Sequence, residues 1–240
     1  MRKLILLFMV LPFLGIAQNK NLLSVDRYFP KTGKAAMFEK ALAAHAQKYH
    51  KGDHSWRVYS IETGPDAGGY QVVEGPTNWT GIDNRGDLGD AHTKDWQTTV
   101  QPHVEDKFSF MYVSFREDLS TVALGDFSDK ISITHLYYKP GYYGEMLANI
   151  RAQKKLWESD GYSMAVYEAT LSGEPRFIIV SRYKNGLKDR DVQKADPYDV
   201  RFTKVNGADG WSTWLKNYKE GLNSTSSEIL YLKPLLGSQQ

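Results

Sequence analysis

The hydrophobic and polar positions of this chain spell one pattern twice. Leu23 to Phe29 is a β-prone run that ends at Pro30 and Gly33, as a strand entering a turn does. Lys34 to Tyr49 then carries Phe38, Leu42, Ala46 and Tyr49 at helical spacing, and Gly52 stops it. Trp56 to Ile61 and Tyr70 to Glu74 read as strands across a turn at Gly64 to Gly68. Asp95 is placed to cap a second helix whose face carries Trp96, Val100 and His103 or Val104. Phe108 to Phe115 reads as a last strand, apolar on both faces and hence expected to be covered on both sides.

The second pattern follows the first. Ile131 to Tyr138 is a strand, and Tyr143, Met146, Ile150 and Trp157 form a helical stripe. Met164 to Ala169 and Arg176 to Arg182 are strands around Ser172 to Pro175. Trp211, Trp214, Leu215, Tyr218 and Leu222 form a second stripe, and Ile229 to Leu232 closes the half. An offset of 108 residues pairs Val25 with Ile133, Leu42 with Ile150, Tyr59 with Tyr167 and Val72 with Val180. The offset then drifts to 115 at Trp96 and Trp211, which places insertions in the charged stretch 185–210.

Strand, helix, strand, strand, helix, strand, given twice, is the split βαβ plan. Each four-stranded sheet has helices for one face only, and the other half's sheet is the nearest cover for the second. The sequence therefore predicts an α+β protein of two tandem ferredoxin-like repeats, packed sheet to sheet as an intramolecular α/β barrel. Residues 1–17 read as a signal peptide, 18–118 as the first repeat, 119–129 as a linker and 130–240 as the second repeat.

Two corners carry a resemblance. Arg27-Tyr28-Phe29-Pro30-Lys31-Thr32-Gly33 through Phe38, and Tyr137-Tyr138-Lys139-Pro140-Gly141, resemble the first strand-to-helix corner of the dimeric α/β-barrel superfamily. That group includes NIPSNAP-like proteins and antibiotic-biosynthesis monooxygenases. The resemblance implies the barrel fold, here closed within one chain so that a monomer suffices. Its members oxidise aromatic molecules without a cofactor, bind or degrade haem, or only bind, so the fold does not choose among these.

The N-terminus bears on where the protein acts. Arg2 and Lys3 precede an apolar run from Leu4 to Ile16, and small residues reach Ala17, so an exported protein cleaved near Ala17 is expected, periplasmic or secreted. The chain has 30 Lys and Arg against 28 Asp and Glu; loss of Arg2 and Lys3 balances them. A neutral chain without a basic stripe excludes nucleic acid as the expected partner. No later run is long enough to span a membrane. The absence of cysteine removes disulfides, thiolate catalysis and cysteine-bound metals.

The candidate site residues are Arg27, Tyr28, His135, Tyr137, Trp79, His92, Trp96 and His103. Arg27 and His135 occupy equivalent mid-strand positions, sharing a face with Val25 and Ile133. If that face lines the barrel, they are polar contacts for an apolar or aromatic small molecule held between the sheets by Tyr and Trp walls. The glycine-rich stretch 75–92 is expected to cover a barrel mouth, with Trp79 as a lid. His103 and His92 are the candidate haem ligands, although no cofactor is predicted. His45, His50 and His54 read as a solvated helix end, and no metal site is assigned. Catalytic residues are not identified. The alternatives to a binding barrel are a cofactor-independent monooxygenase or haem protein on the same scaffold, and an interaction module whose barrel is filled.

Overall fold

The computed structural model describes residues 19–239; the leader read at residues 1–17 lies outside them. Eight antiparallel strands close one barrel. The first half supplies β1 (Leu22–Pro30), β2 (Trp56–Ile61), β3 (Tyr70–Thr77) and β4 (Val104–Phe115). The second supplies β5 (Lys130–Tyr138), β6 (Met164–Ala169), β7 (Arg176–Arg182) and β8 (Leu222–Leu232). Their order around the barrel is β1-β3-β2-β8-β5-β7-β6-β4. Each half keeps the ferredoxin-like order, and the halves join at short seams, β2 to β8 through Tyr59–Ile61 and β4 to β6 through Ser114 and Phe115.

Alternation along each strand divides the core into three layers. Leu23, Val25, Tyr59, Val73, Met111, Val113, Ile133, Tyr167, Ile178 and Leu230 fill the barrel. Outside the first sheet, Phe38, Leu42 and Ala46 of α1 (Ala35–Tyr49) pack on Trp56, Val58, Tyr70 and Val72. Outside the second sheet, Met146, Ile150 and Trp157 of α4 (Tyr143–Asp160) pack on Leu136, Tyr138, Val166, Phe177 and Ile179. Thus Val72 faces α1 whereas Val180 faces the barrel. The hairpin between β6 and β7 is one residue shorter in register than its counterpart, so the 108-residue pairing fails there. A slip of one residue turns a side chain to the opposite face of the sheet.

Four further elements differ from the sequence expectation. The stretch 75–92 folds into α2 (Trp79–Asn84) and the start of α3 (Asp90–Asp95), and lies over the outside of the first sheet rather than over a mouth. Asp95 is not a cap: α3 continues through a π turn at Trp96–Val100 and a 3₁₀ turn at Gln101–His103. The charged stretch 185–210 contains α5 (Tyr198–Asn206), anchored by the fully buried Phe202 against α6 (Gly210–Gly221). The outer end of β4 is not buried on both faces; Phe108 and Phe110 are 66% and 45% exposed, because no helix reaches them.

Candidate functional site

Three hollows can be compared for chemistry. The barrel interior leaves a cavity of about 70 Å³, lined almost wholly by apolar side chains, with Arg57, Arg182 and Phe127 at one end. At the other end a mouth of about 500 Å³ is lined by Arg27, His135, Tyr137, Arg176 and Glu228. The third hollow is a lateral cleft of about 300 Å³ on the outside of the first sheet, between β1, β3, β4 and α3.

At the mouth, Arg27 and His135 point into the barrel, and Glu228 of β8 stands between them. Arg27 donates to both oxygens of Glu228, to Asp66 at 2.9 Å and to Gln71 at 2.9 Å. His135 Nε2 lies 3.3 Å from Glu228 Oε1. Burial raises Glu228, but hydrogen bonds from His135 and Arg27 outweigh it and hold the carboxyl below its ordinary range. The cationic charge of Arg27 is thus met by two carboxylates within the protein, which leaves the pair poorly suited to an anionic ligand. The cavity behind them, at about 70 Å³, lies well below the roughly 300–1,000 Å³ of typical ligand pockets.

The lateral cleft is polar at its floor and aromatic at its walls. Ser24, Asp26 and Tyr28 project from β1, Glu74 from β3, and Phe110 and Tyr112 from β4; cross-strand pairing puts them on one face. Trp56, His50, Trp96 and His92 close one side, and Arg85 reaches in after α2. Glu74 is the hub. It accepts from Trp56 Nε1 at 2.8 Å and from Arg85 Nε at 2.9 Å, with His54 Nδ1 at 3.2 Å. Burial pushes Glu74 up, yet hydrogen bonds from His50, Arg85 and Trp56 prevail and hold it ionised, well below the usual carboxylate range.

Asp26 behaves in the opposite way. Burial raises it to about 7, aided by the negative Glu74 and opposed by the Tyr28 hydroxyl and Arg85. Tyr28 is itself raised by burial and by the neighbouring Asp26. One cleft therefore holds a carboxyl that exchanges its proton near neutrality and another that stays charged.

No family model matches the chain, and no curated protein matches it. Solved structures do. One is described as an anthrone oxidase-like protein, with a TM-score of 0.58 at 14% identity, covering 90% of this chain and 92% of that one. A candidate monooxygenase from Fusobacterium nucleatum gives a TM-score of 0.53 at 12% identity, covering 88% and 91%. A mutant chlorite dismutase from Candidatus Nitrospira defluvii gives 0.53 at 7% identity, covering 91% and 94%. The fold is the dimeric α/β barrel, closed within one chain. At these identities the likeness extends to the fold alone.

Within this α/β barrel six of the eight residues singled out by sequence gather in two places, and two lie apart. Arg27, His135 and Tyr137 gather at the mouth. Tyr28, His92 and Trp96 gather at the lateral cleft. Trp79 is exposed and meets Tyr112 edge-on at 5.5 Å, beyond the cleft's rim. His103 sits in the 3₁₀ turn before β4 and lines none of the three hollows. His92 is turned toward His50, with the two Nε2 atoms 3.3 Å apart. His45 and His50 are not a solvated helix end: they are 1% and 0% exposed, because Trp56 stacks on His50 and Trp96 lies against His45.

Sequence reasoning did not find Asp26, Glu74, Arg85 or Glu228. Asp26 and Glu74 lie on the strand face that α1 and α3 must cover, so two carboxylates there signal buried acid groups once that face is assigned. Glu228 lies in the polar run Asn223–Glu228, which carries no strand signal of its own. Its partner Arg27 is 201 residues away.

Proposed function

We propose that this α/β barrel binds a small molecule in the lateral cleft of its first half. The ligand class is a flat, apolar-bodied molecule with one weakly acidic or hydrogen-bonding edge. The observation that carries the reading is the cleft's composition: Tyr28, Trp56, Trp96, Phe110 and Tyr112 as walls, with Asp26, Glu74 and Arg85 as the polar floor. Aromatic walls give large contact area, and a few fixed polar groups give orientation. The interior cavity of about 70 Å³ disfavours the space between the sheets as the binding site. Calorimetric titration with 1-naphthol tests this. Binding is expected in the wild type and weakened at least about tenfold in Trp96→Ala, as loss of an aromatic wall implies. Binding that survives Trp96→Ala and Asp26→Ala, but is lost when Ile178→Phe fills the barrel, contradicts it.

A second reading, proton abstraction, is favoured by the separation of the two carboxyls, since environments that pull two acids apart assign them different roles. Asp26 would take a proton from the bound molecule while Glu74 keeps Arg85 and Trp56 in place. The oxidase-like neighbour suggests anthrone as the probe, where the resulting carbanion meets dioxygen and gives anthraquinone and water. Oxygen uptake should rise with pH through about 7, as Asp26 loses its proton, and should fall to the buffer rate in Asp26→Asn. Uptake equal to buffer at every pH overturns the catalytic reading and leaves binding untouched.

Export belongs to the same proposal and is supported by the leader-like sequence before Ala17. Mass spectrometry of protein from the native host should give a mature chain beginning near Gln18, and a chain retaining Met1 in the cytosolic fraction would contradict export.

A further inference from the structure

Beside the cleft, the end of α1 and the start of α3 bring three histidines together. One ring nitrogen from each of His45, His50 and His92 lies within 4.8 Å of the others. His50 Nε2 and His92 Nε2 are 3.3 Å apart. A tetrahedral ion bound at about 2.0–2.1 Å holds two imidazole nitrogens about 3.3–3.4 Å apart. His45 Nδ1 is fixed by Asp95 Oδ2 at 2.8 Å, which leaves its Nε2 buried and without any partner. His50 Nδ1 lies 3.4 Å from Glu74 Oε2, on the side away from His92. Ligating histidines commonly have their second nitrogen held by a carboxylate, as Asp95 holds His45, which fixes tautomer and ring orientation.

The surroundings support a built site over a chance cluster. Trp56 stacks on His50 at 3.5 Å between ring centres, and Tyr49 and Trp96 pack on His45. The helix that carries His92 runs into a π turn at Trp96, an irregularity often found at functional sites. Two buried imidazole rings beside a partly exposed third, with His45 Nε2 and His50 Nδ1 both lacking a hydrogen-bond partner, are a costly arrangement if nothing binds there, since each unsatisfied polar atom costs stability.

We propose that His45, His50 and His92 form a three-histidine site for a divalent transition metal of the zinc class, with Asp95 as the orienting carboxylate. Imidazole donors suit zinc, copper, nickel and iron over magnesium or calcium, and no thiolate is present to draw a softer ion. His50 and His92 both line the lateral cleft, so the remaining coordination position opens there. Three protein ligands and one open position are the pattern of a reactive centre rather than a purely structural one. The site stands on the imidazole geometry and does not depend on the cleft taking an aromatic molecule.

The test uses tag-free protein, stripped with chelator and with no organic ligand added. Calorimetry with zinc chloride should give one equivalent bound, and cobalt(II) should give the visible bands of a four-coordinate ion. Asp95→Asn should weaken zinc about 10–100-fold, as loss of an orienting carboxylate does at such centres. His45→Ala and His92→Ala should remove the cobalt bands. If His45→Ala fails to fold by circular dichroism, His92→Ala decides, because His92 is partly exposed. No uptake by the wild type, or uptake unchanged in His92→Ala, overturns the proposal. Loss of 1-naphthol binding with zinc uptake intact would count against the cleft ligand alone.

Discussion

The two halves share one plan and differ on their outer faces. In the first half the sheet under α1 and α3 carries Asp26, Tyr28 and Glu74, and three histidines crowd the edge. In the second half the equivalent strand positions are Thr134, Leu136 and Ser181, and Gln153 and Glu158 stand where His45 and His50 do. There Leu136, Tyr138, Met146, Ile150, Trp157 and Phe177 seal the face, while Phe202, Trp211, Trp214 and Tyr218 stack between α5 and α6. Both halves supply barrel walls, so both are constrained as scaffold. The first gathers Asp26, Tyr28, Glu74 and three histidines on its outer face where the second keeps mainly apolar packing, and on the proposed reading it is the half that binds.

The largest test of this comparison asks whether the halves are one cooperative unit. Phe38→Ala in the first half and Phe177→Ala in the second each empty a fully buried site and should cost about 3–5 kcal/mol in denaturant unfolding. Because the sheets close on each other, each variant should still unfold in one transition; two separated transitions would show that the halves are independent. Next in size is the mouth. Arg27→Met leaves Glu228 buried without its main partner and should cost about 3–5 kcal/mol, with most of that restored by the added change Glu228→Leu. A cost below 1 kcal/mol, on the order of a surface pair, would contradict the burial assigned to that ion pair.

The polar outer face should also make stability depend on pH in a way the second half does not. Glu74 has a folded pKa held below its unfolded value, so its contribution is present above the unfolded pKa and is lost as pH falls toward the folded one. Glu74→Gln should lower stability by about 2 kcal/mol at neutral pH, from weakened hydrogen bonds to a charged acceptor, and should flatten the acid limb. Asp26 acts with the opposite sign: its folded pKa is raised to about 7, so its contribution is greatest at low pH and is lost as pH rises toward 7. Ser181→Ala, at the position equivalent to Glu74, should leave the pH profile of stability unchanged. The smallest effect concerns the ligand. Trp96→Ala should weaken 1-naphthol about tenfold, whereas Trp214→Ala should leave its affinity unchanged despite the loss of an equally large ring.

The barrel was legible in the sequence because alternation and helical spacing report burial directly, and a repeated pattern reports it twice. That Arg27 and His135 share a face with Val25 and Ile133 was legible too, but alternation alone does not say which face is inside, and the closed barrel supplies that direction. The site was harder to read. Glu74 resembles any strand end, Asp26 any polar alternate position, and His50 any helix terminus, until the helices that bury them are placed. Phe202 could not be read as an anchor because α5 is embedded in charged sequence. The open end of β4 was misread for the converse reason: an apolar strand shows that cover is wanted, while only topology shows whether a neighbour reaches it.

The central claim is that the outer face of the first half, and not the barrel interior, receives the ligand. Chemical-shift mapping by NMR with 1-naphthol tests it most directly. Shifts concentrated at Tyr28, His92, Trp96 and Tyr112 are the predicted result. Shifts confined to Val25, Ile133, Ile178 and Val180, or to the second half's helices, would contradict it.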